Sequence, residues 1–331
     1  MRKATLFSIV LVFLFSCKKR ETQIVNNGNG NNNNADTFKL YEYNVKPSAT
    51  NPNINSYNND NEVCYDNRVT SLNKLFVFLP GTTGTPYYYQ LIVKKAAALG
   101  YHAIGLMYPN GSDIYTAAAS SSSLDEFGKC RQEIFDGLDQ ASGVNVNADN
   151  CIKNRLYRLL LYLQSNYPNQ NWGQYIFNTT VNWSKCVVAG HSQGGGHAFY
   201  IAKQVAVDKA ISFSSIDWNS TLSASASWVS QVGATPVSKF YSFNGIRDQI
   251  FAYGNVQTQL SDMGLQGPAI SIDTNDPPYS NSHTLTTAAA PAISLLFPDH
   301  NITSLDAYVP KDVLGYTITS FDKAWEYLLM N

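Results

Sequence analysis

The stretch from Trp183 to Val205 reads Trp-Ser-Lys-Cys-Val-Val-Ala-Gly-His-Ser-Gln-Gly-Gly-Gly-His-Ala-Phe-Tyr-Ile-Ala-Lys-Gln-Val. Cys186 to Ala189 is a short apolar run, the pattern of a strand buried on both faces. After Gly196 the period changes. Ala198, Ile201, Ala202 and Val205 recur at the spacing of one helix face. Gly190-His191-Ser192-Gln193-Gly194 lies between them, a G-x-S-x-G at a strand-to-helix turn. Such a turn strains the backbone of its middle residue and leaves no room for side chains at the flanking glycines. It also sets the Ser192 hydroxyl at a helix N-terminus, whose N–H groups favour developing negative charge.

Gly190-His191-Ser192-Gln193-Gly194-Gly195 resembles the nucleophile elbow of the α/β-hydrolase superfamily, in the form found in bacterial lipases, cutinase-like enzymes and esterases. The resemblance covers about residues 72 to 331. It implies a mostly parallel central sheet with helices on both faces. It also implies a Ser-acid-His order along the chain and two backbone oxyanion donors.

The elements outside the elbow follow that order. Lys74 to Pro80 reads as a strand and leads into Gly81-Thr82-Thr83-Gly84. The N–H of Thr82 is the expected partner of the Gln193 N–H in receiving an oxyanion. Tyr87 and Tyr88 follow, candidates to line a substrate pocket or to pack the helix Gln90 to Leu99. His102 to Met107 is the next strand, and residues 108 to 148 read as irregular. Leu156, Leu159, Leu160 and Leu163 mark a helix that Pro168 ends. Beyond the elbow, Lys209 to Ser214 is a strand, and Trp218 lies in an excursion that could shape a pocket.

The strand Val237 to Asn244 ends in Gly245-Ile246-Arg247-Asp248, which resembles the turn that carries the acid; Asp217 is the rival. Five histidines are available for the base. His102 reads as structural, and His191 and His197 flank the serine too closely in sequence, where packing or support is their reading. His283, in a loop beyond the strand Ala269 to Asp273, is the expected base, and His300 is the alternative. A last helix carries Phe321, Trp325, Leu328 and Leu329.

The amino-terminal segment carries a different signal. Arg2 and Lys3 precede the apolar run Leu6 to Phe15, which is too short to span a bilayer. Leu14-Phe15-Ser16-Cys17 resembles a lipobox, so residues 1–16 read as a lipoprotein signal peptide with Cys17 lipidated. Residues 17–36, with the Asn-Gly run Asn26 to Asn34, read as a flexible tether. Residues 37–331 read as a single α/β-hydrolase domain. The expected location is the bacterial cell envelope, reached by export and held by a lipid anchor.

Of the 331 residues, 44% are hydrophobic and 14% charged, and the formal charge is −1. That balance gives no electrostatic reason to expect nucleic acid as a partner. Export permits disulfides among Cys64, Cys130, Cys151 and Cys186, with Cys130–Cys151 the first expectation. No spacing suggests a metal, and the chemistry calls for no cofactor.

The main expectation is an exported serine hydrolase cleaving carboxylic esters through an acyl-enzyme. A peptidase or amidase with the same residues remains open, as does a non-catalytic surface binding protein on the same fold.

Overall fold

The computed structural model describes residues 38–111, 113–265 and 267–331. Cys17 and the expected signal peptide and tether therefore lie outside the described residues. Phe38–Asn331 is one compact unit.

Nine strands form the main sheet. In chain order they are β1 (Leu40–Val45), β2 (Asn61–Asp66), β3 (Leu75–Leu79), β4 (His102–Gly105), β5 (Cys186–His191), β6 (Lys209–Phe213), β7 (Phe240–Gly245), β8 (Ile270–Ser271) and β9 (Thr284–Thr287). Across the sheet they run β1-β2-β4-β3-β5-β6-β7-β9-β8. β1 and β2 are antiparallel, as are β2 and β4. Every other adjacent pair is parallel. The chain is thus an α/β protein with a large, mostly parallel sheet.

Alternation along β3 shows why the sheet has helices on both sides. Leu75, Val77 and Leu79 enter one apolar cluster, and Phe76 and Phe78 enter another. A strand apolar on both faces must be covered on both. On one face lie α1 (Gln90–Ala98) and α6 (Thr319–Met330), through Ile92, Val93, Phe321 and Trp325. On the other lie α2 (Glu126–Asp136), α3 (Ile152–Asn166), α4 (Gln193–Gln204) and α5 (Tyr253–Asp262), through Phe127, Leu159, Ala198 and Val256. Fully burying one such side chain is worth roughly 1.5–3 kcal/mol, so these two layers dominate the stability.

Three expectations change. Residues 108 to 148 are not all irregular, since they contain α2, whose Gly137 takes the left-handed conformation that closes a helix. β9 has no counterpart in the expected strands, yet it lies between β7 and β8. The four described cysteines are buried free thiols. Cys130 and Cys151 both pack in the same core cluster as separate thiols, and Cys151 also caps α3 by accepting from the Asn154 N–H. The expected Cys130–Cys151 bridge is therefore absent. No helix among the described residues is long and apolar enough to cross a membrane.

Candidate active site

β3, β5, β6, β7 and β9 run in the same direction, so the residues just beyond them share one edge of the sheet. Crevices at the carboxyl ends of parallel strands are where such sheets bind ligands. Thr82 follows β3, Ser192 follows β5, Asp248 follows β7 and His300 follows β9.

Ser192 forms the N-cap of α4 with φ 52° and ψ −120°, a conformation that few non-glycine residues adopt. The reason lies in the glycines on either side. A Cβ on Gly190 would fall 2.3 Å from the Gly194 carbonyl carbon, and one on Gly194 would fall 2.0 Å from the Leu79 carbonyl oxygen. Only glycine lets the chain fold back this tightly against β3. The turn is anchored by the Ser192 N–H, which donates to the Phe213 carbonyl at 2.8 Å.

The loop after β3 is held from three directions. Asn110 Nδ2 donates to the carbonyls of Gly81 (2.7 Å) and Gly84 (2.8 Å). The Thr83 N–H donates back to the Asn110 carbonyl at 2.8 Å. The Thr82 hydroxyl donates to Gln193 Oε1 at 2.8 Å, joining the two residues expected to supply oxyanion donors. Among the described residues, neither the Thr82 nor the Gln193 backbone N–H has a protein acceptor. The Thr83 N–H is already engaged, so Thr82 is the free donor of that pair.

Asp248 meets His300. Asp248 Oδ2 lies 2.7 Å from His300 Nδ1, and each side chain is 3% exposed. Asp248 Oδ1 accepts the N–H groups of Ile250 (2.7 Å) and Phe251 (2.9 Å), which fixes the carboxylate. A carboxylate only accepts, so Nδ1 carries the imidazole proton and Nε2 is left with its lone pair in the neutral ring. Phe251 packs edge-on against the His300 ring, with centroids 5.3 Å apart. The His300 ring also lies 4.8 Å from that of His191, the neighbour of Ser192 in the chain.

His283, the expected base, is elsewhere. It precedes β9, and its Nδ1 lies 2.9 Å from the carbonyl of Phe240, the first residue of β7. Its ring stacks on Tyr241 at 4.4 Å. Asp248 lies past the other end of β7, a six-residue strand, which at about 3.3 Å per residue spans roughly 17 Å. His283 therefore cannot touch Asp248. The sequence signal for which histidine meets Asp248 is Thr284-Leu285-Thr286-Thr287, a β-branched run that forms the last central strand. The histidine beyond that strand is His300.

Asp217 is also otherwise engaged. Both its oxygens bind the guanidinium of Arg131, and both side chains are fully buried. Trp228 Nε1 adds a bond at 3.0 Å. Arg131 Nη1 in turn donates to the Gln193 carbonyl at 3.0 Å, supporting the elbow from beneath. Arg131 lies in α2, within the stretch read as irregular, so this support was not legible.

Of the three consecutive tyrosines, Tyr87 and Tyr88 are exposed and Tyr89 is buried. Trp218 packs against the core cluster on the α2–α5 side and is only partly buried. His197 is fully buried at the base of α4, with its ring edge-on to Tyr108 at 5.3 Å. Burial, and then the charge of Arg131, hold its pKa well below the ordinary histidine value.

No protein-family model matches this chain, and no curated protein matches it.

Proposed function

We propose that this protein is a serine hydrolase of the α/β-hydrolase fold that cleaves carboxylic esters. The observation that carries this reading is a serine at a strained strand-to-helix turn, on the sheet edge that also bears a buried aspartate–histidine pair. Ser192 is the nucleophile. His300 accepts its proton through Nε2 and returns it to the leaving alkoxide. Asp248 holds the tautomer and stabilises the imidazolium that forms. The N–H groups of Thr82 and Gln193 receive the oxyanion, assisted by the positive end of α4. Water then releases the acyl group by the same steps, and no metal or cofactor is called for.

The surroundings support an ester with apolar parts. Exposed apolar side chains stand on the loops that carry the site: Tyr87 and Tyr88, Ile246 and Ile250 beside Asp248, and Leu296 and Phe297 before His300. Apolar side chains on those loops suit an acyl or aryl group better than a charged chain. We further propose that the protein is exported and held at the cell envelope through Cys17.

A fluorophosphonate probe tests the reaction class. The wild type should be labelled and Ser192→Ala should not. Absence of labelling on folded wild type would favour a binding role. Short p-nitrophenyl esters should be turned over much faster than peptide anilides; the reverse order would make the protein an amidase.

A further inference from the structure

We propose that His191 is a positioning residue, a neutral imidazole that ties the loop bearing the oxyanion donor to the loop bearing the base. This inference rests on the serine-hydrolase reading. His191 Nε2 lies 3.0 Å from the backbone carbonyl of His300. His191 Nδ1 lies 3.0 Å from the Tyr89 hydroxyl, and that hydroxyl accepts the Gly81 N–H at 3.1 Å. His191 and Tyr89 are each 2% exposed.

The direction of each bond follows from the atoms. A carbonyl only accepts, so His191 Nε2 must carry a proton. The ring is neutral, because burial above all, with a smaller contribution from the neighbouring His300, pushes its pKa down to about 3. Nδ1 therefore accepts, and the Tyr89 O–H donates to it. The lone pairs of that oxygen remain available to the Gly81 N–H. One continuous chain of bonds thus runs from Gly81, next to Thr82, through Tyr89 and His191 to His300.

Of the two neutral tautomers, only this one lets every link face the right way. The Tyr89 ring is itself set by packing on Phe78, 5.0 Å between centroids. A leucine would fill the His191 site, leaving the His300 carbonyl without its donor and the Tyr89 O–H without its acceptor. The loops would then be free to part. Displacement by about 1 Å at a catalytic group costs about 10²-fold in rate.

Two measurements test this. Long-range ¹H–¹⁵N NMR of the wild type, assigned with His191→Gln, should show His191 neutral and protonated on Nε2 from pH 5 to 8. A proton on Nδ1, or a charged ring in that range, would overturn the proposal. With a soluble short ester, His191→Leu and Tyr89→Phe should each lower kcat about 10–100-fold while KM stays within about threefold. His191→Gln, whose amide can donate to the His300 carbonyl, should recover much of the loss. A folded His191→Leu with wild-type kcat would reduce the residue to packing. If that variant does not fold, Tyr89→Phe decides by the same criterion. Wild type that takes no probe and cleaves no ester sinks the hydrolase reading and this inference together. Labelled, active wild type with unaffected variants sinks the inference alone.

Discussion

His300 Nδ1 and Asp248 Oδ2 stand 2.7 Å apart, joined across 52 residues of chain and closed off from solvent. The pair exists because β7 and β9 are parallel neighbours, which sets the loops that follow them side by side.

His300→Ala should lower kcat by about 10⁴–10⁶ with little change in fold, since the serine then has no proton acceptor. His283→Ala should leave kcat within a few-fold, because its ring serves only the β7–β9 edge. Steady-state kinetics on one soluble ester compares the two. Comparable losses in both variants would contradict the assignment of His300.

Asp248→Asn should drop kcat by about 10⁴ through loss of the tautomer that Nδ1–H donation maintains. Asp217→Asn should act on stability instead. It leaves the buried Arg131 guanidinium without its counter-charge, at a cost of roughly 3–5 kcal/mol. Thermal melts and kinetics on both variants separate the roles, and a stable, inactive Asp217→Asn would reopen the choice of acid.

Asp306 accepts the Leu91 N–H with both oxygens, at 3.1 and 3.3 Å, just inside α1. Burial raises its carboxyl from 3.8 to about 7, with the Leu91 and Gln90 N–H groups opposing that rise. The folded state then binds more protons than the unfolded state between about pH 4 and 7. The contribution is complete below pH 4 and is lost as pH rises through 7. Asp306→Asn keeps an acceptor and removes the charge. Its melting temperature should match or trail the wild type at pH 4 and gain on it at pH 8. A difference that does not change with pH would refute this origin.

Cys17→Ala should move the protein from the membrane fraction to the soluble fraction of its host. Continued association with membranes would require another anchor.

Much of this was legible from local chemistry. The apolar run at Cys186, the glycines around Ser192 and the helical spacing after Gly196 specify the elbow, because the clashes that demand glycine arise within a few residues. Lys74 to Pro80 was legible as a strand from its apolar run, and its side chains enter two clusters, one on each face of the sheet. Asp248 was readable because its turn closes immediately after a strand.

Which distant groups meet depends on the packing of the whole chain. The sequence favoured His283 over His300, but the strand Thr284–Thr287 between them puts His283 at one edge of the sheet and His300 at the other. Asp217 and Asp248 both follow strands, yet Arg131 from α2 neutralises the first. The tautomer of His191 depends on a carbonyl 109 residues away. Strand pairing and buried charge matching are long-range terms, set by packing, and no window of sequence contains both partners.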